Sequence, residues 1–102
     1  MSAKPQAGYD KVFDNVLRLR IMSVLMVNPS CDFTSFKELL QVTDGNLASH
    51  LRHLENANYI QVAKSFAGRK PLTTYAATET GKKAFRSHLD FLEHLITASK
   101  TP

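Results

Sequence analysis

At 102 residues the chain is long enough for one domain with a modest core, and its 43% hydrophobic content excludes a disordered polypeptide. No apolar run approaches the roughly 20 residues of a membrane span. The start, Met1 to Gly8, has one lysine and no apolar stretch after it, so it does not read as a secretory signal. A net charge of +4 favours an anionic partner without naming it, and the lone Cys31 precludes an internal disulfide, which suits a reducing cytoplasm.

Residues 1–8 read as a flexible lead-in, and residues 9–98 as one domain. Over 9–27 the residues Val12, Phe13, Val16, Leu17, Ile21, Val24 and Leu25 keep a helical period, with a bend near Asn15. Arg18 and Arg20 are expected to reach solvent or pair with Asp14. Tyr9 and Phe13 are candidates for contact with a second subunit. Asn28-Pro29 ends this helix, because a residue before proline disfavours helical angles. Asp32-Phe33-Thr34 reads as a very short strand or an extended linker. Ser35 to Glu38 then fits a capping box, opening a two-turn helix through Phe36, Leu39 and Leu40 to about Gln41.

After the turn Val42-Thr43, with Thr43 or Asp44 as cap, comes a helix over about 44–56 with two unlike faces. Leu47, Leu51 and Leu54, spaced four and three apart, form an apolar stripe. Opposite lie Asn46, Ser49, Arg52, His53 and Asn56, with Gly45 at the open end. These side chains donate and accept hydrogen bonds, as base edges and phosphates in a DNA major groove require. A solvated helix face has the same composition, so the neighbouring segments decide. Two short helices joined by a tight turn make a helix-turn-helix, whose second helix enters the major groove.

Tyr59 to Phe66 and Leu72 to Ala77 read as the strands of a β-hairpin, with Ala67 to Pro71 as its turn and Arg69 and Lys70 at its tip. Lys64, Arg69 and Lys70 are candidate contacts to phosphates or the minor groove. Thr78 caps a last helix over about 78–98. Phe85, Leu89, Leu92 and Ile96 form one apolar stripe there, and Ala84, Phe91, Leu95 and Ala98 a second. So wide an arc must bury both sides: one can cover the first helix, and the other is expected against a partner subunit, the alternative being that one monomer satisfies both stripes.

The order helix, short strand, helix, turn, helix, hairpin, long helix is that of a winged helix-turn-helix: an α+β fold, mainly α, with a three-helix core, a hairpin wing and a long C-terminal dimerisation helix. Phe13 to Met22, with its Arg18-Leu19-Arg20-Ile21, resembles the first helix of ArsR-like and MarR-like transcriptional regulators. Thr43-Asp44-Gly45-Asn46-Leu47…His50-Leu51 and Phe66-Ala67-Gly68-Arg69-Lys70-Pro71…Thr74-Tyr75 resemble the recognition helix and wing of small bacterial and archaeal regulators of that superfamily. The likeness covers about residues 10–95. It implies a homodimeric, DNA-binding transcriptional regulator, with Asp44 to His53 as recognition helix and Arg69 with Lys70 as wing tip.

Many ArsR relatives sense metals through a cysteine pair beside the helix-turn-helix, and this sequence has none there. His88 and His94 are six apart, which does not place them as i,i+4 ligands, and Asp90 with His94 supplies only half a site. No metal or other cofactor is expected. An enzyme reading rests on Ser49 and His53 alone, four apart on a convex, open face that suits nucleophilic catalysis poorly. The DNA contacts expected are Asp44, Gly45, Asn46, Ser49, Arg52, His53, Lys64, Arg69 and Lys70. The dimer contacts expected are Tyr9, Phe13, Phe85, Leu89, Phe91, Leu92, Leu95 and Ile96. A winged helix that binds only protein is the alternative.

Overall fold

The structure, a computed structural model, describes residues 8–99; the lead-in expected over 1–8 lies outside it except for Gly8. A 3-10 turn, Lys11–Asp14, is followed by α1 (Val16–Val27), β1 (Cys31–Asp32), α2 (Phe33–Leu40), α3 (Asp44–Asn56), β2 (Ile60–Ala67), β3 (Lys70–Ala77) and α4 (Glu79–Ala98). This is the α+β winged helix arrangement expected.

Several boundaries differ from the sequence reading, each through a cap. The helix expected over 9–27 is two pieces. Asn15 takes extended angles (φ −90, ψ 126) and its side chain accepts from the Arg18 N–H at 3.1 Å, so the break expected as a bend is a full N-cap. Asp10 caps the 3-10 turn in the same way, accepting from the Val12 N–H at 3.0 Å. In α2 the cap is Asp32, whose carboxylate accepts from the Ser35 N–H at 2.7 Å, and not Ser35. The helix therefore starts three residues earlier, and Phe33, Thr34 and Ser35 are helical. A carboxylate at an N-cap also meets the positive end of the helix dipole. Gln41 in the left-handed region (φ 53) ends α2, and Thr43 caps α3 by accepting from the Asn46 N–H at 3.2 Å. Asn58 (φ 63) turns the chain out of α3; asparagine tolerates that conformation better than most residues do.

The hairpin is longer and tighter than expected. Lys70 and Pro71 belong to β3, leaving Gly68 and Arg69 as a two-residue turn, with Gly68 at φ 66, the sign glycine adopts without steric cost. Sheet order is β1-β3-β2, all antiparallel, with Ile60 opposite Ala77 and Ala67 opposite Lys70. β1 pairs only Cys31 with Tyr75 and Asp32 with Thr74, so it anchors the base of the wing and leaves the tip two-stranded. Pro71 sits in that unpaired outer part, where its missing N–H breaks no ladder to β1.

The core lies between the helices and the hairpin base. Ile21, Met22 and Leu25 of α1 meet Phe36 and Leu40 of α2, Leu47, Leu51 and Leu54 of α3, Ile60, Phe13 and Phe85. Val16, expected on the packed face, is 67% exposed because the helix begins there. Gly81 lets α4 approach the end of α3: a Cβ there would stand 2.1 Å from the Tyr59 carbonyl oxygen. The corner is tied by Thr78, whose N–H donates to that same carbonyl at 3.0 Å and whose hydroxyl donates to the Asn58 carbonyl at 2.8 Å.

Candidate nucleic-acid interface

The apolar stripe of α3 is spent inside the domain. Leu47, Leu51 and Leu54 are buried to within 2%. At 100° per residue this fixes the outward face, and Gly45, Asn46, Ser49, Arg52, His53 and Asn56 are all exposed. Asp44 is exposed as well, but it forms an ion pair with Lys37 of α2 at the start of α3. That pair joins the two helices of the helix-turn-helix and puts a negative charge where the helix dipole favours one. Asp44 so engaged braces the turn.

The two flanks of α3 meet different neighbours. Towards the hairpin, Ala48, Arg52 and Glu55 face Val62, Lys64, Thr73 and Tyr75 across an open cleft of about 530 Å³. The cross-strand register puts Val62 with Tyr75, Lys64 with Thr73 and Phe66 with Pro71 on this face of the sheet. Arg52 and Lys64 thus share one groove, although they lie on different elements. Burial, and secondarily the Glu55 carboxylate, pushes the Tyr75 hydroxyl above its ordinary range, so it stays protonated in the cleft wall. Arg69 and Lys70 are exposed at the tip beyond, and Phe66, 72% exposed, lies between them and Lys64 along the wing.

The other flank faces α1. Arg18, expected to reach solvent or pair with Asp14, instead donates through Nε to the Val12 carbonyl at 2.6 Å and through Nη1 to His50 Nδ1 at 3.0 Å. An arginine cannot accept, so His50 Nδ1 carries no proton and the other ring nitrogen does. Burial first, then the Arg18 charge and His53, lowers the His50 pKa and keeps the ring neutral. His50 is a bracket between α1 and α3. No sequence signal marked this contact, which joins residues 32 apart.

The expected dimer residues divide. Phe13 is 3% exposed, stacked on Tyr59 at 5.7 Å and edge-on to Phe85 at 5.5 Å; Phe85 is 5% exposed. Both are spent in this chain's own core and do not reach an outer surface. The buried line of α4 runs through Gly81, Phe85 and His88 rather than Phe85 and Leu89. His88 is 4% exposed among Tyr9, Phe13 and Phe91, and its Nδ1 accepts from the Asp10 N–H at 3.1 Å. Tyr59 donates its hydroxyl to the Asp10 carboxylate, and burial with that partner pushes its pKa up to about 12. Tyr9, Leu89, Leu92, Leu95 and Ile96 remain 37–76% exposed, with Phe91 half-buried behind Tyr9.

No helix among the described residues is long and apolar enough to cross a membrane. Residues 17–96 match the family described as winged helix DNA-binding domain. An uncharacterized protein of Methanocaldococcus jannaschii is 34% identical over 79 residues, which cover 78% of this chain and 86% of that protein. Among solved structures, a transcriptional regulator homologue protein from Pyrococcus horikoshii OT3 superposes with a TM-score of 0.81 at 30% identity, covering 88% of this chain and 89% of that one. Bacillus subtilis PadR in complex with operator DNA superposes with a TM-score of 0.66 at 15% identity, over 85% of this chain and 62% of that one. A helix-turn-helix with a polar second helix, a cationic wing on its flank and a matching sequence over most of its length lead to one assignment: the chain belongs to the family of winged helix DNA-binding domains.

Proposed function

We propose that this protein is a transcriptional regulator that binds specific duplex DNA sequences as a two-fold homodimer in the cytoplasm, with residues 9–98 acting as one binding unit. α3 enters the major groove, and the wing tracks the adjacent backbone or minor groove. The observation that carries this reading is the common groove of Arg52 and Lys64, which joins the polar face of α3 to the cationic wing in one continuous surface. Asn46, Ser49, Arg52 and His53 reach bases or nearby phosphates, Gly45 admits the backbone close to α3, and Lys64, Arg69 and Lys70 neutralise phosphates. Leu89, Leu92, Leu95 and Ile96 with Tyr9 pair the protomers, so the two α3 helices meet successive major grooves about one helical turn apart.

The test is selection from a pool of genomic duplex fragments, followed by the same selection with Asn46→Ala and Arg52→Ala. A few retained fragments sharing a two-fold sequence, with altered preference in the variants, are expected. Equal losses on selected and random fragments would remove direct base reading by α3, and no retention at low salt would favour a protein-binding winged helix.

A further inference from the structure

On the α1 flank of α3 lies a second open cleft, of about 340 Å³, lined by Lys11, Val12, Asp14, Arg18 and His53. We infer that it is a second phosphate-binding site for duplex DNA, on the side of the recognition helix opposite the wing. This rests on the DNA-binding reading above and extends it to residues of the 3-10 turn and α1.

Three features carry the assignment. First, His53 belongs to the exposed face of α3 and also lines this cleft, so a backbone strand leaving the recognition helix on this side passes directly over Lys11 and Arg18. Second, the Arg18 guanidinium is already oriented. Its Nε and Nη1 are held by the Val12 carbonyl and His50, and Nη2 makes no hydrogen bond among the described residues. A guanidinium held in this way loses little conformational freedom when it meets a phosphate. Third, Lys11 is exposed and forms no ion pair among the described residues. Asp14 is the opposing charge in the cleft, and its carboxylate accepts from the Tyr9 hydroxyl at 2.6 Å. Lys11 and Arg18 outnumber it by one.

The position of the site selects which phosphates it meets. The segment carrying Lys11 is fastened to α4 by the Tyr9–Phe91 ring contact and by the Asp10–His88 hydrogen bond. That fastening puts the cleft on the α4 side of α3, where the proposed second protomer would pair, while the wing lies on the far side. In the dimer the two clefts face the spacer between half-sites. α3 is thus clasped by cations on both flanks, Lys64 outside and Lys11 with Arg18 inside.

The experiment measures the dependence of duplex affinity on salt for the wild-type chain, Lys11→Ala and Asp14→Asn, with Lys83→Ala on the solvent side of α4 as control. Each lost phosphate contact lowers the slope of log K against log salt by about 0.9. Lys11→Ala is therefore expected to lower it by roughly 1.8 for the two-fold pair. Asp14→Asn, which keeps an acceptor for Tyr9, is expected to tighten binding several-fold. Methylphosphonate groups at the spacer phosphates should abolish the difference between Lys11→Ala and wild type. A slope equal to the control in Lys11→Ala, with unchanged affinity in Asp14→Asn, overturns the site while leaving the recognition helix and wing intact. Failure of the wild-type chain to bind any duplex overturns the DNA-binding reading itself, so the two failures are distinct.

Discussion

α3 and α4 are both amphipathic, and they spend their apolar residues in opposite ways. In α3 every leucine of the stripe is buried by this chain, and the face left over is polar. In α4 the line Gly81, Phe85, His88, Leu92, Leu95 keeps the three-and-four spacing of a helix seam, yet only its first three members are covered here; Leu92 and Leu95 are 37% and 39% exposed. An outward face of hydrogen-bonding groups suits a wet, charged partner such as DNA. An outward face of leucines suits a second apolar surface. On the proposed function, the difference between the two helices assigns DNA reading to α3 and protomer pairing to α4.

Substitutions on each face should therefore fail in different assays. Leu51→Ala leaves a cavity in the core beneath α3 and should cost about 2–5 kcal/mol of folding stability in urea titrations. Leu92→Asp should leave the fold in place and raise the dimer dissociation constant on the order of 100-fold, about 2.7 kcal/mol, as read by sedimentation. An undisturbed dimer would mean that the exposed end of α4 has another use. Arg52→Ala should leave stability within about 0.5 kcal/mol of wild type and lose roughly 1–3 kcal/mol of discrimination between the preferred sequence and a mismatched one. A large loss of stability instead would make Arg52 part of the framework.

The smallest effect sharpens the boundary between the two roles on α3 itself. The His50 pKa is lowered in the folded state, so the native chain binds fewer protons there than the unfolded one. Its contribution is complete above the ordinary histidine value of about 6.5 and is lost as pH falls from there through the lowered value. Chemical denaturation at stepped pH should show a modest decline below about 6.5 that His50→Gln removes.

What was legible in the sequence followed periodicity. The stripe Leu47, Leu51, Leu54 and the alternation of Ile60 and Val62 gave recognition helix and wing, because burial on one face imposes the period that the residues display. The caps were harder. Ser35 and Glu38 satisfy a capping-box pattern, but the cap is Asp32, whose extended backbone at the end of β1 lets its carboxylate accept from the Ser35 N–H at 2.7 Å. On α4 the apolar spacing alone traces the seam through Phe85 and Leu89 and passes over His88, because histidine does not count as an apolar residue. In the fold an aromatic cage and the Asp10 N–H let a histidine occupy an apolar position. Arg18 was opaque for a different reason, since its partners Val12 and His50 come together only when α1 packs on α3.

The most direct test of the central claim is the stoichiometry and affinity of the chain on a selected genomic duplex, measured by sedimentation at 50 and 200 mM salt with a scrambled duplex alongside. Two protomers per duplex are expected, with tight binding at the lower salt, a steep loss at the higher, and a preference over the scrambled sequence of at least about 10³-fold. A folded dimer that binds both duplexes equally, or neither at the lower salt, would contradict that claim.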